Sequence, residues 1–166
     1  FMINVALLGF GRIGQMHAQN ISLNKSLKLL YVYEKIEKLR KKAKNLYNCS
    51  TEENYKKIFS DDKVDIIFIS SPTNTHIKFI EEGIKYNKTI FCEKPLDLNI
   101  NKIIKTFKKI RRNKSKIQLG FNRRFDPGHH SIKKDLDKGK IGRLEKIIIT
   151  SRDPAPPSKA YLKSSG

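Results

Sequence analysis

Residues 3–14 read INVALLGFGRIG: a short apolar run that ends in three glycines, Gly9, Gly11 and Gly14. The run Ile3–Leu8 has the length and composition of a buried strand, and Ile13–Ser22 continues with helical spacing. A strand, a glycine turn and a helix in that order suit one chemistry above others. The glycines permit a tight turn, close approach of backbone to a pyrophosphate, and close packing of helix on strand. The helix N-terminus adds unpaired N–H groups and a positive dipole end. Gly9, Phe10, Gly11, Arg12, Ile13 and Gly14 are therefore expected to cradle a dinucleotide. Glu34 closes the next apolar run, 20 residues beyond Gly14, where its carboxylate can accept hydrogen bonds from the adenosine ribose. Its charge opposes the 2′-phosphate of NADP, so NAD is the expected cofactor. Lys35 and Lys38 soften that repulsion and keep NADP open as an alternative.

Outward from this stretch, apolar runs and helical patterns alternate. Strands are expected at Leu27–Tyr33, Val64–Ser70, Thr89–Cys92 and Ile117–Gly120, with helices at Ile36–Leu46, Thr75–Tyr86 and the basic block Lys102–Lys116. Ser50-Thr51-Glu52-Glu53 has the form of a capping box and predicts a helix start there. Strands separated by helices imply right-handed crossovers and a parallel sheet, hence an open, doubly wound α/β domain. The character changes after Phe121: FDPGHH reads as a turn, Ser131–Lys138 as a short helix closed by Gly139, and Leu144–Ser151 as a last strand. The expected division is a nucleotide-binding domain over residues 1–121 and the truncated beginning of a second α/β domain over 122–166.

Composition bounds the remaining classes. The chain has 166 residues and a formal charge of +19, which ordinarily suggests a polyanion partner. Its 27 lysines outnumber 8 arginines, however, and aromatics make only 9% of the chain, so no nucleic-acid partner is expected. The densest basic block, Lys102–Lys116, carries eight positive and no negative residues. Its apolar positions Ile100, Ile103, Ile104, Phe107 and Ile110 follow helical spacing, which predicts an outer helix with a lysine-rich solvent face. No apolar run approaches the ~18 residues of a spanning helix and no secretory signal is visible, so no membrane role and a cytoplasmic location are expected. Cys49 and Cys92 lack metal-type spacing and read as reduced, buried residues; no metal is expected. Phe1 precedes Met2, and the chain stops just after the last predicted strand, so a fragment is expected.

In parallel sheets of this kind ligands bind at the C-terminal ends of the strands. Ser71, Pro72 and Thr73 follow such a strand and are expected to line the cofactor, with Asn74 or Thr75 capping the next helix. His76 is placed with this cofactor-side group but reads as a first-turn packing residue rather than an acid or base, and His129 and His130 read as solvated. Lys94, in the stretch FCEKPLD at 91–97, follows another strand end on the same edge. There an ammonium can hydrogen-bond a substrate hydroxyl and stabilise alkoxide-like charge. Glu93 is placed to orient it, and Pro95 to fix the chain exit, with a cis bond allowed.

GFGRIGQMHA at 9–18, SPTNTH at 71–76, FCEKPLD at 91–97, LGFNRRFDP at 119–127 and SRDPAPP at 151–157 together resemble the glucose-fructose oxidoreductase / inositol dehydrogenase family (Gfo/Idh/MocA), nearest to inositol 2-dehydrogenases. The resemblance implies an N-terminal Rossmann domain, a second α/β domain whose sheet packs against other subunits, and oxidation of a polyol or sugar hydroxyl with NAD(P). It implies that Lys94 is catalytic and touches substrate, that Asn122 and Arg124 lie near the nicotinamide and substrate, and that Arg152 and Asp153 lie near the substrate pocket; Glu93 is placed with the cofactor contacts. It also implies a homo-oligomer, dimer or tetramer, for the full-length form. The family's Asp-x-x-x-His motif has no counterpart before Gly166, so little or no dehydrogenase activity is expected of this chain alone. The alternatives are a catalytically inactive nucleotide-binding remnant and, third, a basic polyanion-binding protein.

Overall fold

The computed structural model describes residues 2–152, 155 and 156. These fall into two compact units divided after Gly120. The first unit alternates strands and helices: β1 Ile3–Leu8, α1 Arg12–Leu23, β2 Leu27–Tyr33, α2 Glu37–Tyr47, β3 Ser50–Glu52, α3 Tyr55–Phe59 and β4 Ile66–Ile69. A 3-10 turn at Thr73–Thr75 leads into α4 His76–Lys85, followed by β5 Thr89–Glu93, α5 Ile100–Arg112 and β6 Ile117–Gly120. The strands form one sheet in the order β3-β2-β1-β4-β5-β6, every pair parallel. The direction of winding reverses between β1 and β4, which opens a crevice at their C-terminal ends. This is the doubly wound Rossmann sheet anticipated above.

Alternation along β1 explains why both faces are covered. Val5 and Leu7 pack with Ala18 and Ile21 of α1 and Ala43 of α2, while Ala6 and Leu8 pack with Ile58 and Phe59 of α3 and Phe79 and Ile80 of α4. Each fully buried Leu, Ile or Phe stabilises by roughly 1.5–3 kcal/mol, so the strands need both helical layers. Cys49 and Cys92 are buried free thiols. Burial, with the Glu93 charge adding to it, pushes the Cys92 thiol up to about 12, so it is chemically quiet.

Five local expectations are corrected. Ser50–Glu52 does not open a helix but pairs with Tyr31–Tyr33 as the edge strand β3, and the next helix is capped by Asn54, whose side chain accepts the Lys56 N–H at 3.1 Å. Local capping chemistry was outweighed there by an available strand edge. Thr75 is the residue before α4, yet its hydroxyl donates to the Pro72 carbonyl at 2.7 Å instead of capping. On α5, Ile103 and Ile110 pack inward, but Ile100, Ile104 and Phe107 are exposed, because the neighbouring elements cover only part of a wide apolar arc.

The second unit supplies the other two. A 3-10 turn at Asn122–Phe125 precedes α6, which spans Pro127–Asp137 and so begins within the predicted turn FDPGHH. Asp126 caps it, accepting the His129 N–H at 3.0 Å, and Pro127 sits where no N–H is needed. Residues 144–151 form no strand: Ile147, Ile148 and Ile149 are exposed and unpaired among the described residues. A β-branched run becomes a strand only where a partner offers ladder hydrogen bonds.

Candidate functional site

The three glycines do different things. Gly9 has φ +97°, and a Cβ there would lie 2.7 Å from the Ser71 Cα, so the first turn packs directly on the loop after β4. A Cβ at Gly14 would meet the Gly9 carbonyl oxygen at 2.1 Å, so this glycine lets α1 approach β1. A Cβ at Gly11 would meet nothing within 4 Å. Gly11 is the residue before α1, with no side-chain cap and no acidic group in the first turn. The backbone N–H groups of Gly11, Arg12 and Ile13 make no hydrogen bond among the described residues and lie at the positive end of the helix. That donor set, with room above Gly11, fits a diphosphate. Arg12 is exposed beside it and Ile13 half-buried.

Phe10 belongs elsewhere: its ring is fully buried, edge-on to Tyr47 at 6.2 Å. Its N–H is spent on Glu34, whose Oε2 accepts it at 2.9 Å, while Oε1 accepts the Ile36 N–H at 3.1 Å. The half-buried Glu34 carboxylate is therefore held by two backbone groups at the end of β2 and keeps lone pairs for ribose hydroxyls. A cavity of about 460 Å³ opens beside it, lined by Tyr33, Lys35, Glu53, Tyr55, Thr75 and Lys78 among others. Its size suits a purine ring system.

The loop after β4 forms the opposite wall. Ser71 is half-buried, its hydroxyl 2.6 Å from that of Thr75, and Pro72 is exposed; Thr73 is buried, with 4% of its surface accessible. His76 is 1% exposed, with Nε2 2.8 Å from the Ser71 carbonyl oxygen and Nδ1 2.8 Å from that of Pro95. Its ring has no polar atom left for a cofactor, which fits its reading as a packing residue and not its placement among cofactor contacts.

Lys94 follows β5 at the same edge, exposed, and the Lys94–Pro95 bond is cis. Among the described residues its ammonium has no hydrogen-bond or ion-pair partner. Glu93 does not hold that ammonium; one oxygen accepts the Lys94 backbone N–H at 3.3 Å and the other lies 2.8 Å from His17 Nε2. Burial alone would raise the Glu93 carboxyl, but the hydrogen bond and charge of His17, with Lys94, outweigh it and hold the group below the usual carboxylate range. His17 was missed in the sequence. It sits on α1 with its ring 4.5 Å from that of Phe68, and the only linear signal for it is a histidine on the helix that follows the glycine turn.

The first unit thus gathers the glycine turn, Glu34, Ser71, Pro72, Glu93 and Lys94 along one sheet edge. Asn122, Arg124 and Arg152 belong to the second unit and are exposed there. Asp153 lies outside the described residues.

Comparisons with known proteins bear on the family and the fold. Residues 3–121 match the model of the Gfo/Idh/MocA oxidoreductase family, described as an NAD-binding Rossmann fold. An inositol 2-dehydrogenase of Rhizobium meliloti is 37% identical over 164 residues, covering 99% of this chain and 49% of the relative. The crystal structure of a myo-inositol dehydrogenase from Corynebacterium glutamicum superposes with a TM-score of 0.90 at 36% identity, covering 98% of this chain and 49% of that one. The scyllo-inositol dehydrogenase of Lactobacillus casei, solved with bound NAD(H) and scyllo-inositol, gives 0.82 at 32% identity over 86% of this chain and 43% of its own. The chain spans about half the length of the curated relatives it matches. With the family model covering most of its length, the chain belongs to the Gfo/Idh/MocA oxidoreductases and carries their NAD-binding Rossmann fold.

Proposed function

We propose that this chain binds NAD along the crevice and that Lys94 serves the oxidation of a secondary hydroxyl on a polyol or sugar, an inositol being the leading substrate. The observation that carries this reading is an ammonium without a partner, among the described residues, at the same sheet edge as an open glycine cradle. NAD, when bound, supplies the hydride acceptor. The N–H groups of α1 bind the diphosphate, Glu34 accepts from the adenosine ribose and discriminates against a 2′-phosphate, and the loop at Ser71 and Pro72 excludes water from one side. Lys94 donates a hydrogen bond to the substrate oxygen and stabilises negative charge there as the hydroxyl proton passes to solvent water and the hydride to NAD. His17 and Glu93 form a fixed, partly buried pair just before the lysine. Support from relatives is chemical as well as structural, since one is solved with NAD(H) and scyllo-inositol together.

The test is calorimetric titration with NAD and NADP, followed by measurement of NADH formation with myo- and scyllo-inositol. Tighter binding of NAD than NADP is expected, with little or no inositol-dependent NADH formation by this chain alone. Absence of NAD binding overturns the whole reading; an affinity of the NAD-loaded chain for inositol that Lys94→Met leaves unchanged overturns the role of Lys94 and leaves a nucleotide-binding chain.

A further inference from the structure

We propose that His76 is a positioning residue, which sets the Lys94 turn against the wall of the dinucleotide cradle by bridging two backbone carbonyls. The inference rests on the reading of the crevice given above and adds a role for a residue with no surface to offer a ligand.

Sheet pairing alone leaves the two loops independent. The ladder between β4 and β5 ends with Ile69 opposite Cys92, and among the described residues no backbone hydrogen bond joins the two loops beyond that point. The chain then runs to Ser71 on one side and to Lys94 and Pro95 on the other. His76, the first residue of α4, reaches across this gap: Nε2 lies 2.8 Å from the Ser71 carbonyl oxygen and Nδ1 2.8 Å from the Pro95 carbonyl oxygen.

Each side of that bridge is already a wall of the site. Ser71 abuts Gly9, since a Cβ at that glycine would lie 2.7 Å from its Cα, so the Ser71 backbone packs directly on the glycine turn. The Pro95 carbonyl is one residue beyond Lys94, and Leu96, 5% exposed, anchors the same turn in the core. Leu96 fixes the depth of the turn; it does not set its distance from Ser71. That distance is set by a rigid planar ring with nitrogens on two sides. Carbonyl oxygens only accept, so the bridge is the form of the ring with hydrogen on both nitrogens, Nε2–H donating to Ser71 and Nδ1–H to Pro95. A flexible or apolar side chain of equal size fills the space without holding both oxygens. At 1% exposure no water replaces the lost donor, so its removal is felt by both loops.

The experiment compares the intact chain with His76→Phe, which keeps an aromatic ring of similar bulk, and His76→Gln, which keeps a donor. Amide hydrogen exchange is read in the absence of nucleotide, and reductive methylation of Lys94 is followed with and without NAD, alongside ADP-ribose affinity. For His76→Phe we expect exchange at 70–73 and 93–98 to rise about tenfold while β4 and β5 stay protected. ADP-ribose affinity should stay within about threefold, and the shielding of Lys94 by NAD should fall by about tenfold, with partial recovery in His76→Gln.

Unchanged exchange at either loop in a folded variant overturns the proposal and leaves His76 a packing residue. So does a loss of ADP-ribose affinity that parallels the loss of Lys94 shielding, because the damage then lies in the cradle itself. If NAD neither binds the unmodified chain nor shields Lys94, the cofactor reading fails, and the exchange comparison alone decides whether His76 ties the loops. Should His76→Phe not fold, His76→Gln and His76→Asn carry the same comparison.

Discussion

The imidazole of His17 lies 2.8 Å from the carboxylate of Glu93, joining α1 to the residue that precedes Lys94 across 76 positions of sequence. Glu93 is held below the usual carboxylate range in the folded chain, so its charged form is favoured over that in the unfolded chain. Its contribution to stability is fully present above the ordinary carboxylate pKa and is lost as pH falls through the lower folded value. We expect the Tm difference between the unmodified chain and Glu93→Gln to be widest near neutral pH and to shrink on acidification. Thermal melts across an acid series check this, and a difference independent of pH removes the ion-pair account.

The glycines separate folding from binding. Gly14→Ala drives a Cβ to 2.1 Å from the Gly9 carbonyl and should lower Tm by several degrees or abolish folding, an effect on the order of 2–4 kcal/mol. Gly11→Ala meets no protein atom within 4 Å and should leave Tm within a degree or two. The same change narrows the approach of a diphosphate, so NAD affinity should fall by about tenfold or more. Equal Tm losses in the two variants, with NAD affinity intact in Gly11→Ala, would contradict the assignment.

Glu34 carries two burdens. Glu34→Ala removes the acceptor for the Phe10 and Ile36 N–H groups and should cost about 1–2 kcal/mol of stability. It also removes the charge that opposes a 2′-phosphate, beside Lys35 and Lys78 in the adjoining cavity. The ratio of NADP to NAD affinity should therefore rise by at least about tenfold. An unchanged ratio from paired titrations would place nucleotide selection at other residues.

Lys94→Met keeps the stem of the side chain and removes its charge. Because the Lys94 ammonium has no partner among the described residues, stability should change by no more than about 0.5 kcal/mol. Under the proposed reading, the affinity of the NAD-loaded chain for inositol should fall by about tenfold, with NAD affinity within about threefold. A loss confined to nucleotide affinity assigns Lys94 to binding alone.

Much of the fold was legible because its signals are short-range. Ile3–Leu8, Leu27–Tyr33 and Ile117–Gly120 were read with the bounds they have, since apolar runs of that length between turn residues pack one way. β3 was not legible: Ser-Thr-Glu has no strand signature, and only pairing with Tyr31–Tyr33 makes it one. The run Ile147–Ile149 failed in the opposite sense, having the composition of a strand and no pairing among the described residues. The polarity of α5 was read correctly, but how much of its apolar arc other elements cover depends on neighbours the spacing does not encode.

By itself the sequence determined the type of site: three glycines whose spacing meets steric demands within a few residues, a carboxylate at the next strand end, and a lysine before a proline at a third. Tertiary structure alone decided what holds these groups. Phe10 turns its N–H to Glu34 rather than to a ligand, His17 meets Glu93, and His76 joins Ser71 to Pro95. Backbone conformation and periodicity are local quantities that neighbouring residues set. A hydrogen-bond partner is chosen by which strand ends lie side by side, and in a parallel sheet those ends come from distant parts of the chain.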